Sequence, residues 1–234
     1  MLPFVLFLTS LMTFQDAPRT PPAPAGVIVA AHSDKDWLPA ADPSAPQWAG
    51  TSGVQATLDF FGKPVPLAPT EFRARWTGNN LYLLFICPYR TLYLKPDPVT
   101  DAKTNKLWDW DVAEAFIGTD FQKIGRYKEF EVSPRGEFVD LDINRDDKKA
   151  ELGLAWDSGF KVSAKIDTDR KIWYGEMRIP FASLGVNAPK PGDQFRAGLY
   201  RIEGGEPNRI YVTWQPTGIK SFHQPAAFGR LVLK

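Results

Sequence analysis

The sequence is poor in the residues that build covalent and metal-based frameworks. Its 234 residues include one cysteine, Cys87, and two histidines, His32 and His223. One cysteine excludes an intramolecular disulfide framework and a cysteine-cluster zinc or iron–sulfur site. Neither charge is in excess, since 28 lysines and arginines face 27 aspartates and glutamates. This balance argues against a nucleic-acid partner and against a polybasic membrane-surface protein.

Common catalytic motifs are also missing. The chain has no GxSxG, HExxH or GxGxxG pattern and no P-loop, so the enzymes that those motifs mark are excluded. Aromatic residues, in contrast, make up 13% of the chain and include eight tryptophans. Because tryptophan is costly to leave in water, this content indicates a large core, a stacking surface, or both.

The N-terminus has the composition of a processing segment. Residues 2–14 form a nearly continuous apolar run, and residues 17–24 form a proline-rich spacer. The run is shorter than the roughly 20 residues of a membrane span and resembles the apolar part of a secretory signal. We therefore predict a signal peptide and spacer over residues 1–25, with an uncleaved anchor as the alternative. The mature domain, residues 26–234, is then secreted or periplasmic and has no transmembrane span.

From residue 26 onward, short stretches of alternating polarity recur between Pro, Gly, Asn and Asp residues, and no sustained helical period is present. Alternation with period two is typical of strands, and regular turn signals favour a sandwich. We predict an all-β fold, an antiparallel β-sandwich of about ten strands, immunoglobulin- or jelly-roll-like. Surface loops are expected at 38–47 and 95–106. The predicted strands are 70–76, 81–87, 111–117, 127–133, 137–143, 160–166, 173–179, 195–202, 210–214 and 229–233.

A strand that follows two tryptophans carries the first candidate site. Glu114 shares a strand face with Val112 and Phe116, and a carboxylate on an apolar face is costly unless it is paired or hydrogen-bonded. Two interpretations remain open. Glu114 binds a ligand, or it forms a structural pair with an arginine such as Arg201.

A second candidate site contains Glu129 and Glu131, which lie on one strand face about 7 Å apart. Paired carboxylates at such spacings hydrolyse glycosides in some enzymes, so a glycan-active hydrolase is one alternative. Asp140 and Asp142 repeat the pattern on the next strand. If the four acids face one another, a calcium site, which need only be structural, is equally well indicated.

A third candidate lies near the C-terminus, where Phe222 and His223 stand outside any strand pattern. An aromatic residue in a loop can serve as a stacking platform for a ligand, or Phe222 can close the end of the sandwich. His223 alone does not make a metal site.

Four motifs together resemble carbohydrate-binding module family 9 and its family 9-like relatives over roughly residues 26–234. They are Trp108-x-x-Asp111-x-x-Glu114, Phe130-Glu131-Val132, Glu176-x-x-Ile179-Pro180-Phe181 and Pro225-x-x-Phe228-Gly229. The resemblance implies a β-sandwich related to the DOMON group. It also implies sugar binding at the end of the sandwich, without catalysis by the module.

The resemblance also implies roles for individual residues. Trp108 and Phe222 correspond to the two rings that clamp a sugar, with phenylalanine in place of a second tryptophan, and Glu114 corresponds to a glutamate that hydrogen-bonds it. Glu131 stands where the family has a sugar-contacting arginine. Arg201 and His223 are further candidates for hydroxyl contacts. Calcium is known in the family, but binding as such requires no cofactor.

We therefore predict an exported carbohydrate-binding protein that recognises plant-type glycans similar to xylan or cellulose. It would support carbohydrate catabolism beside a separate glycoside hydrolase. The alternatives are a hydrolase that uses Glu129 and Glu131, and a structural or interaction sandwich whose sugar site has decayed. A haem-binding module is disfavoured because Met177 lies within a strand and only two histidines exist.

Overall fold

The computed structural model describes residues 26–147 and 152–234, so the predicted signal peptide and spacer lie outside the described residues. These residues form twelve strands and four short 3-10 helices. The strands are β1 Val27–His32, β2 Val54–Ala56, β3 Thr70–Trp76, β4 Asn80–Pro88, β5 Val112–Gly118, β6 Arg126–Val132, β7 Phe138–Asn144, β8 Lys161–Asp167, β9 Ile172–Pro180, β10 Gln194–Glu203, β11 Ile210–Thr213 and β12 Gly229–Leu233. The 3-10 helices are Pro46–Trp48, Leu107–Asp109, Phe181–Leu184 and Pro225–Ala227.

Within the described chain all twelve strands belong to one sheet, in the order β7-β6-β5-β10-β12-β1-β3-β4-β9-β8, with β11 beside β10 and β2 beside β3. Neighbours are antiparallel except that β1 runs parallel to both β12 and β3. The predicted all-β sandwich is confirmed. The sequence patterns missed β1 and β2, since β1 is a short apolar run and β2 has three residues, too few to show alternation.

The sheet wraps around one apolar core, so that its two halves face each other as the layers of a sandwich. Phe130 of β6 and Leu199 of β10 meet Leu83 of β4 and Met177 of β9 in this core. Cys87 belongs to the same cluster and is fully buried, as its apolar strand predicts. The inward face of each strand is therefore taken up by packing.

The outer face of β5, β6, β7 and β10 carries a second apolar cluster, and this face positions the candidate site. Side chains alternate across a strand, so the residues that flank the core residues of these strands point outward together. The cluster contains Val112, Phe116, Tyr127, Leu141, Tyr200 and Ile202, with Phe60, Phe222 and Phe228 packed over them from neighbouring loops. Because these strands carry apolar side chains on both faces, their outer face must also be covered, and these loops cover it.

The register of β6 and β7 overturns the predicted group of four acids. The two strands pair so that odd-numbered residues of both lie on one face. Glu129 and Glu131 therefore share the outer face, whereas Asp140 and Asp142 point to the opposite side. There Asp140 pairs with the Lys103 ammonium at 2.7 Å. The four-acid site is wrong because a shift of one residue in register changes the face of every side chain.

The predicted loop at 38–47 is held away from the outer-face cluster. The fully buried carboxylate of Glu176 accepts hydrogen bonds from Trp37 Nε1 at 2.7 Å and from the backbone amides of Ala40 and Ala41 at 3.0 and 2.9 Å. These bonds hold the loop against β9. No helix in the described part of the chain is long and apolar enough to cross a membrane.

Candidate functional site

A cavity of about 220 Å³ opens over the outer face of β5, β6 and β7. Its floor comes from the sheet and its walls from the segment before β5, from β11 and from the loop before β12. The lining residues are Phe60, Trp108, Glu114, Glu129, Leu141, Leu152, Ile202, Tyr211, Lys220, Ser221, Phe222 and His223. The cavity thus lies over a face of the sandwich, and the predicted loops at 38–47 and 95–106 do not line it.

Trp108 reaches the cavity from the 3-10 helix Leu107–Asp109, which directly precedes β5. Leu107 is fully buried and anchors this turn. Asp111 accepts a hydrogen bond from the Tyr93 amide at 3.0 Å, and the Trp108 carbonyl accepts one from the Arg209 guanidinium. The aspartate of the tryptophan motif therefore holds the turn in place, and the indole ring is left half-buried at the cavity wall.

Phe222 is packed into an aromatic stack and also lines the cavity. Its ring lies parallel to that of Tyr200, with the centroids 4.2 Å apart, and 5.0 Å from Phe60. Only 7% of Phe222 is exposed. The two predicted roles of Phe222, a plug and a wall of a binding site, are thus compatible in this geometry.

Three buried glutamates meet at the cavity floor. Glu114 of β5 pairs directly with Glu131 of β6, and Glu129 lies two residues along on the same face. Oxygens of all three side chains lie within 4.8 Å of one another. Glu114 and Glu129 line the cavity, whereas Glu131 does not and is fully buried.

The polar atoms of this group have few protein partners. Four carboxylate oxygens are buried without a hydrogen-bond partner among the described residues: Glu114 Oε1, Glu129 Oε2 and both oxygens of Glu131. The Tyr200 hydroxyl is also buried and unpartnered. Tyr200 is the cross-strand neighbour of Glu114 on β10, but its hydroxyl lies beside Gly198. Unpaired buried polar groups are costly, so a ligand that forms hydrogen bonds or an ion pair with these oxygens would lower that cost. Oxygen groups of this kind also suit a hard divalent cation.

Burial governs the protonation of the three carboxyls. It raises the pKa of Glu129 to about 7, while the neighbouring Glu131 carboxyl acts in the opposite direction. Burial, followed by the charge of Glu129, raises the pKa of Glu114 well above its usual range. The pKa of Glu131 is also raised well above its usual range, by burial and then by the other two carboxylates. All three carboxyls therefore keep their protons to a higher pH than an exposed glutamate does.

His223 adds a neutral polar group to the cavity wall. Its Nδ1 atom lies 2.7 Å from the Tyr127 hydroxyl and 4.0 Å from Glu129 Oε2. Burial, with a smaller effect from the charge of Arg145, lowers the pKa of His223 to about 4. The imidazole is thus uncharged at neutral pH and does not compensate the glutamates.

Arg201 lies on the other side of the sheet. In the β5–β10 register Glu114 faces Tyr200, so Arg201 points into the core, where it is fully buried. Its guanidinium pairs with Glu203 at 2.8 Å and donates to the Pro88 carbonyl at 2.7 Å. The predicted Glu114–Arg201 pair is therefore wrong, and Arg201 is not among the residues that line the cavity.

Several residues of the site were not found from the sequence. Phe60 lies between β2 and β3, far in sequence from the other residues of the cavity, and Tyr211 lies on the short strand β11. Tyr200 lies on the same strand as Arg201, and the sequence patterns singled out only Arg201 there. Alternation along 210–213 was a usable signal for Tyr211, but no local pattern links Phe60 to the cavity.

Residues 47–234 match the family described as carbohydrate family 9 binding domain-like. The chain belongs to this family. The match covers the tryptophan motif that shapes the cavity wall, and it confirms the resemblance drawn from the four motifs. The family 9-like assignment thus agrees with the sandwich fold.

Relatives agree with this assignment. An "Extracellular protein" of Arthroderma benhamiae is 26% identical over an alignment of 180 residues, and the match covers 71% of this chain and 79% of that protein. Among solved structures, a protein from Bacteroides uniformis named as carbohydrate-binding aligns with a TM-score of 0.71 at 16% identity, over 90% of this chain and 100% of that one.

A family 9 module from Caldicellulosiruptor kristjanssonii aligns in two complexes. The cellotriose complex gives a TM-score of 0.61 and covers 89% of this chain and 94% of that one. The glucose complex gives 0.62 and covers 89% and 96%. Both are 15% identical to this chain. At this level of identity the structures show a shared fold.

Proposed function

We propose that this family 9-like domain binds carbohydrate in the cavity between Trp108 and the Glu114–Glu129 floor, without catalysis and without a required cofactor. One observation carries the proposal. The cavity combines a half-buried tryptophan with buried carboxylates that lack partners among the described residues. Cavities with apolar walls and a few oriented polar groups are typical of small-molecule sites.

The chemistry of a sugar ring fits this arrangement. The C–H face of a pyranose is apolar and stacks on an aromatic ring, here that of Trp108. Its hydroxyls donate to carboxylate oxygens, and hydrogen bonds to ionised groups are the stronger kind. Glu114 and Glu129 supply such oxygens, and the neutral imidazole of His223 supplies a further partner at the wall.

The relatives support the ligand class and the location that we propose. The Caldicellulosiruptor module is solved with cellotriose and with glucose, so we propose a β-linked plant-type glycan similar to cellulose or xylan. The Arthroderma relative is named an extracellular protein, which supports export. A separate glycoside hydrolase as partner, and a role in carbohydrate catabolism, remain part of this proposal.

The hydrolase alternative has less support from the geometry. It requires both Glu129 and Glu131 to reach a glycosidic bond, but Glu131 does not line the cavity. Their oxygens lie within 4.8 Å of each other, which is nearer to the roughly 5–5.5 Å of retaining enzymes than to the roughly 6.5–9.5 Å of inverting ones, so it is the lack of access to Glu131 that disfavours hydrolysis. Sugar binding requires neither access to Glu131 nor a particular spacing of the two carboxyls.

Calorimetric titration of the full chain with glucose, cellotriose and xylotriose tests the proposal. We expect binding that Trp108→Ala weakens by at least about tenfold, or about 1.4 kcal/mol. Trp110→Ala is the matched control, because Trp110 is also half-buried but stacks on Tyr93 at 4.7 Å and does not line the cavity. Equal affinities in the wild type and in Trp108→Ala would refute the assigned site.

A further inference from the structure

We propose that the sugar taken by this cavity carries a protonated amine, and that its ammonium group pairs with the carboxylates of Glu114 and Glu129. This inference rests on the proposed carbohydrate binding, and it replaces the neutral cellulose- or xylan-like glycan by a charged sugar as the preferred ligand of the cavity. The preferred ligand is then an amino sugar with a free amine, such as a glucosamine residue, rather than a neutral glucose residue.

The first step is the missing positive charge. Within the described ranges, no lysine or arginine forms an ion pair with Glu114, Glu129 or Glu131, and the nearest basic nitrogen in an ion-pair geometry belongs to the neutral His223, 4.0 Å from Glu129. The Arg209 guanidinium, which acts on Glu114 through space, is engaged by backbone carbonyls. Buried carboxylates without a counter-charge are costly, so a cationic ligand gains more here than a neutral one.

The second step concerns the carboxylate oxygens that face the cavity. Glu114 Oε1 and Glu129 Oε2 are buried and without hydrogen-bond partners among the described residues, and both side chains line the cavity. An ammonium group has three donors and no acceptor, which matches a floor made of acceptor oxygens.

The third step is the wall. Around the carboxylate floor stand the rings of Phe60, Trp108, Tyr211 and Phe222. Aromatic faces attract cations, and tryptophan does so most strongly. Lys220 also lines the cavity but is exposed, so its charge is screened by water and salt. Carboxylates below aromatic rings therefore favour an organic cation.

The fourth step separates an ammonium from a divalent metal ion. Burial raises the pKa of Glu129 to about 7 and raises those of Glu114 and Glu131 well above their usual range. Burial thus favours the protonated forms, and a nearby cation favours ionisation of the carboxyl that it contacts. One ammonium matches one carboxylate. A divalent cation bound by all three groups would have to displace the protons of the other two as well.

The test compares matched ligands on the full chain. Cellotriose and the β-1,4-linked glucosamine trimer differ only in the group at C2 of each ring, and the N-acetylglucosamine trimer is the uncharged amide control. We expect calorimetry at neutral pH to give an affinity for the glucosamine trimer at least about tenfold above that for either neutral trimer, or about 1.4 kcal/mol. Added salt should weaken this preference.

The matched variants are Glu129→Gln and Glu71→Gln. Glu129→Gln should abolish the preference for the amine, and Glu114→Gln serves the same purpose if the first variant does not fold. Glu71 pairs with Arg73 at 2.6 Å on β3, outside the cavity, so Glu71→Gln should keep the preference.

Three outcomes would overturn the inference, and they are distinguishable. Cellotriose binding with no preference for the amine removes the amino-sugar inference and leaves the proposed function intact. No binding of any trimer removes both. Calcium binding that Glu129→Gln abolishes, in a protein without amine preference, would instead assign the three glutamates to a metal ion.

Discussion

Replacing Glu129 by glutamine should make the protein more stable at neutral and alkaline pH. Burial raises the pKa of this carboxyl from 4.5 to about 7, so the folded protein holds the proton more tightly than the unfolded chain does. The free energy of unfolding therefore falls as the pH rises from about 4.5 through about 7. The shift of about 2.5 units corresponds to about 3 kcal/mol at most. Glu129→Gln should not show this loss of stability, because glutamine does not ionise.

The other groups that face Glu129 shape the pH profile of the wild type. Burial also raises the pKa values of Glu114 and Glu131 well above their usual range, so these groups add to the loss of stability as the pH rises. The buried hydroxyls of Tyr127 and Tyr200 stay protonated because burial raises the pKa of each. His223 acts in the opposite sense. Its pKa is lowered to about 4, so its contribution is lost as the pH falls below about 6.5.

Urea unfolding of the wild type and of Glu129→Gln between about pH 4 and pH 8 measures this effect, with the stability difference as the readout. Because His223 contributes to both proteins, the difference reports the ionisation of Glu129 together with its effect on Glu114 and Glu131. The two proteins should be about equally stable near pH 4, and the variant should gain up to about 3 kcal/mol by pH 8. Glu71→Gln is the control and should show no such trend. A difference that stays flat across the range would refute the burial argument.

Three further substitutions test other parts of the structure. Arg201→Met leaves Glu203 buried without its partner and should cost about 3–5 kcal/mol in thermal unfolding, while calorimetry should show unchanged sugar affinity because Arg201 faces the core. Glu176→Ala removes the acceptor for Trp37 Nε1 and two amides, so limited proteolysis should cut the 37–41 segment faster. Gly175→Ala places a Cβ 2.8 Å from a core side chain and should cost about 1–3 kcal/mol in urea unfolding.

Much of the fold was readable from local patterns. Local patterns marked ten of the twelve strands within the described residues. The turn after β3 forms between Thr77 and Asn80, with the Thr77 amide bonded to the Asn80 carbonyl at 2.9 Å, and the short helix Phe181–Leu184 directly follows β9. These features depend on neighbours in sequence, so the sequence carries them directly.

The candidate site was readable only in part. Trp108, Glu114, Phe222 and His223 line one cavity, and the motifs that singled them out also carry the family resemblance. Glu131 lies beneath the cavity floor, beside Glu114. Their role in sugar recognition stays a prediction until binding is measured.

By itself, then, the sequence determined the strands, their turns, the family and the side chains that share a face within each strand. It did not determine which strands are neighbours or in which register they pair. Those choices placed Arg201 in the core, turned Asp140 and Asp142 away from Glu129, and put Glu131 opposite Glu114. The physical reason is that alternation repeats every two residues, so a shift of one residue in pairing reverses every face. Only the packing of the whole sheet selects one register.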